Sequence, residues 1–170
     1  MPIAESLLSE FDQEKVHTRR MLEAVPDDRF DWKPHEKSMN LGYLASHVAH
    51  LPHWCVSTCT ADELDIDPPE GPKYEVPNFT SQSEMLEGFD RICAEAEAAV
   101  AQTSDADMMR PWTLKYQGNA IFTLPKVVVL RSMVFNHLIH HRGQLSVYLR
   151  LLDQPVPATY GPSADEQPPM

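Results

Sequence analysis

Between Pro125 and Pro155 apolar side chains return every three or four residues, through Val128, Val134, Leu138, Leu145, Tyr148 and Leu152. That period describes a long α-helix with one apolar stripe. Proline suits a first helical position and cannot continue a helix, so the two prolines mark its limits. Three further segments share the period. One runs from about Glu5 to Val25, with Leu7, Phe11, Thr18, Leu22 and Val25 in line. Another begins at Asn40, a good N-cap, and continues through Leu41, Leu44, Val48, Leu51 and Cys55 to about Thr60. Pro52 lies inside it and predicts a kink or local break. The third opens with Ser81 and Glu84 at capping-box spacing, carries Met85, Phe89, Ile92, Ala96 and Val100, and ends near Thr103.

Between these helices the connections are stiff. Glycine is scarce, with 6 residues, whereas nine of the 15 prolines gather at 68–77 and 155–169, a pattern that fits helices joined by rigid connections better than many strands with glycine turns. The stretch Trp112 to Leu124 is the exception: WTLKY and AIFTL flank Gln117-Gly118-Asn119, which reads as a short β-hairpin or an ordered crossover. The expected fold class is all-α, a four-helix bundle with long connections, in a single domain over 1–170 whose last residues, 153–170, form an extended polar, proline-rich tail. At 170 residues one core suffices for stability.

Charge narrows the choice of partners. A net charge of −11 with scattered basic residues argues against a nucleic-acid partner, which is held through clustered Lys and Arg. No window is apolar enough to span a bilayer, and MPIAESLLSEFDQEK lacks the basic and apolar regions of a signal peptide, so a cytoplasmic location is expected. Three cysteines, an odd number, point to reduced thiols. Cys55 and Cys59, four apart, would share a helix face; a two-thiolate metal site there stands against the role of buried cysteine as a small apolar residue.

The chemistry concentrates in eight histidines: His17, His35, His47, His50, His53, His137, His140 and His141. At roughly 100° per residue, His137 and His141 fall within about 60° of the centre of the apolar stripe of their helix, and His140 points away. Two imidazoles one turn apart on an inward face can converge on one metal ion. On the second helix His47 lies at about 60° from the stripe centre, His50 nearer 120° and His53 on the far side, which makes His47 the best third ligand. With so many histidines, an i, i+4 pair also arises readily by chance. Hydrogen-bonded packing histidines therefore stay open beside a three-histidine site.

Two segments bear a specific resemblance. NHLIHHRGQLSVYLRLLDQPVPATYGPSADE, residues 136–166, resembles the C-terminal signature of the DinB-like family, matched here by His137, His141, Arg142, Gly143 and Gln144. NLGYLASHVAHLPHW, residues 40–54, is similar to that family's second-helix segment, with His47 and Trp54 in its histidine and aromatic places. The resemblance implies an up-down-down-up four-helix bundle, often a homodimer. It also implies one divalent metal ion on three histidines, carried onto His47, His137 and His141.

Three neutral imidazoles leave the ion's charge uncompensated and positions open, as in a catalytic site. They suit zinc, nickel, iron or copper. Gln144 can orient a ligand or a bound water, and Arg142 can meet an anionic group or form an interhelical salt bridge. The resemblance further implies thiol-dependent chemistry for some members. The first expectation is thus a metal-dependent S-transferase acting on a small-molecule substrate with a low-molecular-weight thiol as cofactor. The alternatives are a hydrolase using metal-bound hydroxide and a non-catalytic metal- or ligand-binding stress protein.

Overall fold

The computed structural model describes residues 1–167, so residues 168–170 of the expected tail lie outside the described residues. Four long helical runs form the bundle. The first, α1 (Ile3–Glu23), buries Leu7, Phe11, Thr18, Met21 and Leu22. The second run is split into α2 (Leu41–His50) and α3 (His53–Thr60). Pro52, which has no N–H to give to the ladder, sits at the break, as its place in the sequence predicts. Asn40 caps α2 by accepting from the Tyr43 N–H. In α4 (Gln82–Ala101) the Ser81 hydroxyl accepts from the Glu84 N–H, and the Glu84 carboxylate takes the Thr80 N–H and hydroxyl instead of closing a reciprocal box.

Side-chain pairs fix the helix directions. Lys15 reaches Glu97 and Arg19 reaches Asp90, so α1 and α4 are antiparallel. Phe11 stacks on Phe135 and Thr18 meets Arg142, so the last helix runs parallel to α1. Tyr148 donates to the Met39 carbonyl near the start of α2, while Lys126 donates to the Cys59 and Ala61 carbonyls at the end of α3, so the second run opposes the last. The order is up-down-down-up.

The last run is not the uniform α-helix that the periodicity predicts. It consists of α6 (Lys126–Val129), a π-helical segment Leu130–Phe135 and α7 (Asn136–Leu151). Its buried positions explain the departure. Lys126, Leu130, Val134, Leu138 and Arg142 are all buried at intervals of four. In an ideal α-helix four such steps drift about 160° around the axis, which would turn Arg142 outward. The wider π turn takes up that drift and keeps the whole row inside.

The sheet is small and mixed. The expected hairpin is present as β2 (Pro111–Tyr116) and β3 (Asn119–Pro125), joined at Gln117 and Gly118, both with positive φ (49° and 77°), the geometry of a two-residue type I′ turn. A third strand, β1 (Glu63–Asp65), pairs parallel to β2 and is not signalled by its sequence. Asp65 accepts from the Gly118 N–H and so ties β1 to the turn. Inward-facing Trp112 and Leu114 form a second core with Val129, against which Trp54, Ile66, Phe122 and Met133 pack. A short helix, α5 (Asp105–Met108), precedes β2.

Among the described residues of the C-terminal segment, 153–167 lack regular secondary structure, yet they are not a free tail. Ala158 is buried, Asp165 and Glu166 pair with Arg150 and Arg20, and the Tyr160 hydroxyl donates to the Glu14 carboxylate.

Candidate metal centre

α2 and α7 cross where both present histidines inward. The His137 Nε2 lies 2.9 Å from His141 Nε2 and 3.5 Å from His47 Nε2, and one nitrogen from each ring lies within 4.8 Å of the other two. His141 is buried, and His47 and His137 are half-buried. The opposite edges of two rings are already engaged. The His137 Nδ1 lies 3.3 Å from the Met133 carbonyl, an atom that can only accept, and the His141 Nδ1 lies 2.7 Å from Gln144 Oε1. Both rings therefore carry their proton on Nδ1 and turn a bare Nε2 lone pair towards the common point.

Lone pairs 2.9 Å apart repel unless a cation stands between them. A tetrahedral ion with bonds of about 2.0–2.1 Å to nitrogen sets its ligand atoms about 3.3 Å apart, close to the 2.9 and 3.5 Å from His137 to its two neighbours. The three residues thus fit a divalent ion by donor type, His137 and His141 also by tautomer, and the two spacings from His137 by separation. Burial lowers the imidazole pKa values, with the neighbouring histidines adding to it: His47 falls to about 4, and His137 and His141 are lowered too. Neutral rings are the ligating form, so the ions' chief competitor, the proton, is disfavoured.

The other predicted groups are placed as follows. Gln144 orients His141 rather than touching the common point. Arg142 faces the opposite way, buried against α1, where it pairs with Glu14 at 2.7 Å and donates to Thr18 and Tyr160. Of the two readings of Arg142, the interhelical salt bridge is the one present, and the guanidinium is not available at the histidine cluster. His140 is exposed. Cys55 is buried and Cys59 half-buried, with both thiols pushed up by burial, and no ligand group among the described residues includes them.

His50 is buried although the wheel turns it away from the bundle. It is 8% exposed, its Nε2 lies 2.9 Å from the Tyr74 hydroxyl, and its ring stacks on His53 at 5.0 Å. The wheel turns His50 away from the bundle correctly; what buries it is the 61–80 connection, which carries Tyr74 across it. Periodicity gives no signal for Tyr74, because the connection has no period.

Two cavities reach the cluster. One, of about 230 Å³, is bounded by His47 and His137 and walled by His50, Leu51, Trp54, Ile66, Tyr74 and Val76. The other, a groove of about 440 Å³, is edged by His141 and Gln144 and lined by Lys37, Ser38, Met39 and Tyr148.

The DinB family model matches residues 1–169 of the sequence. The chain belongs to the DinB family. Among solved structures this DinB-family chain is similar to a DinB-like protein of Bacillus cereus ATCC 10987, with 23% identity and a TM-score of 0.70 over 92% of this chain and 97% of that one. It is also similar to a DinB-like protein of Bacillus subtilis, with 18% identity and a TM-score of 0.68 over 91% and 96%. At these identities the likeness establishes the shared fold. The mycothiol-dependent maleylpyruvate isomerase aligns at 16% identity and a TM-score of 0.49 over 92% of this chain and 65% of its own, a likeness too slight to bear on function. No curated protein matches the sequence. No helix among the described residues is long and apolar enough to cross a membrane.

Proposed function

We propose that this DinB-family protein is a metal-dependent S-transferase that joins a low-molecular-weight thiol to a small electrophile at the His47, His137 and His141 centre. The observation that carries the reading is that two cavities of different character flank the cluster, one edged by His47 and His137 and the other by His141. A reaction of two organic partners needs two such approaches; hydrolysis needs one, since water requires no pocket. A divalent ion held by three neutral histidines supplies a Lewis acid with open positions, at which a thiol gives up its proton more readily.

The chain's own groups prepare the site. Gln144 and the Met133 carbonyl fix two imidazole tautomers and ring orientations, so the ligand atoms are in place before either reactant arrives. The open groove, with Lys37 on its rim, suits a flexible polar thiol bearing negative charge. In the transfer a carbon–sulfur bond forms, the bond from that carbon to the leaving group breaks with its electron pair, and the thiol proton passes to solvent.

The test is elemental analysis of the purified protein together with conjugation assays using a panel of low-molecular-weight thiols and electrophiles. Near-stoichiometric metal, lost in His141→Ala, with thiol-dependent product formation is expected. Unchanged metal content in His141→Ala, or no conjugate with any thiol in metal-loaded protein, overturns the reading.

A further inference from the structure

Apart from His47 and His137 at its edge, the cavity of about 230 Å³ is built from residues that the metal centre does not use. Ile66, Tyr74 and Val76 come from the 61–80 connection, and Trp54 and His50 come from either side of the Pro52 break. Its volume falls below the about 300–1,000 Å³ of sites for drug-sized ligands, so it admits a single small ring system. Its walls carry no Asp, Glu, Lys or Arg. Away from the edge formed by His47 and His137, a charged group there would lose its hydration without gaining a partner. Its aromatic walls are held in place, with Trp54 set edge-on to Tyr74 at 5.9 Å and 83°. Such faces and edges favour a planar guest.

One polar pair interrupts the apolar lining. The His50 Nε2 and the Tyr74 hydroxyl are 2.9 Å apart, and the His50 Nδ1 is buried without a partner. A proton on Nδ1 would bury an orphaned donor, whereas a bare Nδ1 leaves only an acceptor unmet, the less costly state. His50 therefore donates from Nε2 to the phenol oxygen, and the hydroxyl hydrogen of Tyr74 is left for a ligand in the cavity that its ring lines. Burial holds the phenol pKa above its usual value, so the group stays a donor at neutral pH.

We infer that this cavity is the binding site for the electrophilic reactant, an uncharged planar aromatic molecule of one ring, oriented by a hydrogen bond from Tyr74 to its electronegative substituent with its reactive carbon towards His47 and His137. The inference rests on the transferase reading for the word electrophile alone; the cavity's preference for an uncharged planar ring stands on its walls. Tyr74 acts as a positioning and specificity residue, and His50 acts through it.

The experiment uses metal-loaded full-length protein in thiol-free buffer with 4-fluoronitrobenzene as the probe, followed by fluorine NMR. Saturable binding is expected in the wild type. Val76→Trp, which fills the cavity, abolishes it while metal content stays unchanged, and Tyr74→Phe weakens it by about 3- to 10-fold, the range for one hydrogen bond. Because Tyr74→Phe keeps the ring and removes only the hydroxyl, it remains informative if Val76→Trp does not fold. Wild-type affinity in both variants, or no saturable binding in the wild type, overturns the assignment. Saturable binding without turnover on any thiol refutes the transferase reading and leaves the aromatic site standing.

Discussion

Replacing Arg142 by Met removes one half of an ion pair sealed between α1 and α7. Arg142 and Glu14 are 3% and 4% exposed and meet at 2.7 Å. Glu14 also accepts from the Tyr160 hydroxyl at 2.7 and 2.8 Å, but that contact alone does not neutralise it. Breaking a buried pair by removing one partner costs about 3–5 kcal/mol, because the remaining charge stays buried and uncompensated. In a protein of this size each kcal/mol moves the midpoint by about 2–4 °C, so Arg142→Met should lower Tm by about 6–20 °C. The double variant Glu14→Leu/Arg142→Met removes both charges and should recover most of that loss, since apolar replacement of a whole pair is about neutral or stabilising by a few kcal/mol. Thermal unfolding followed by circular dichroism at one fixed pH and metal content reads both. A drop below about 3 °C for the single variant, or a double variant as unstable as the single one, would refute the argument from charge burial.

Gln144→Ala should weaken metal affinity by about 10- to 100-fold, measured by competition with a chelator, because His141 loses the acceptor that sets its tautomer; an unchanged affinity would deny Gln144 that role. His47 and His50 have pKa values of about 4 in the folded chain against 6.5 when unperturbed, so between those limits the unfolded state binds more protons. The metal-free protein should therefore lose stability as pH falls from about 6.5 towards 4 and show no contribution from these groups above 6.5, read by urea denaturation at pH 7 and 5.5. A metal-free protein more stable at pH 5.5 than at pH 7 would contradict this sign. Gly88→Ala would bring a Cβ within 2.5 Å of the Phe79 ring, and the displaced ring should cost about 1–3 kcal/mol, partly offset by about 1 kcal/mol of helix propensity, seen as a lower urea midpoint.

The helices were legible because their apolar residues lie on single faces, and the caps at Asn40 and Ser81 mark their starts in residues that act locally. His137 and His141 were legible for the same reason, and His47 because α2 is regular up to Leu51. Beyond those points the signal fails for identifiable causes. β1 is only Glu-Leu-Asp, too short to alternate, and it exists by pairing with β2. The burial of His50 depends on Tyr74, which arrives from a connection with no period of its own. Arg142 is buried because Glu14, far away in sequence, lies opposite it, and because the π turn brings it inward. The C-terminal segment looks like a solvated tail, since its polar composition does not reveal that Tyr160, Asp165 and Glu166 each have a partner waiting on a helix.

The surplus residue in the turn from Leu130 to Phe135 also sets the phase between the two halves of the last run. Were these residues to rewind as plain α-helix with their count unchanged, everything after them would swing by about 100° relative to what precedes them. Every ligand would survive in the amino-acid composition, yet one half of the run would have to face outward for the other to stay in the core. The bundle and the histidine cluster thus share a single mechanical setting, so a change that forces these six residues into plain α-helix should be far less tolerable than loss of the one surplus residue.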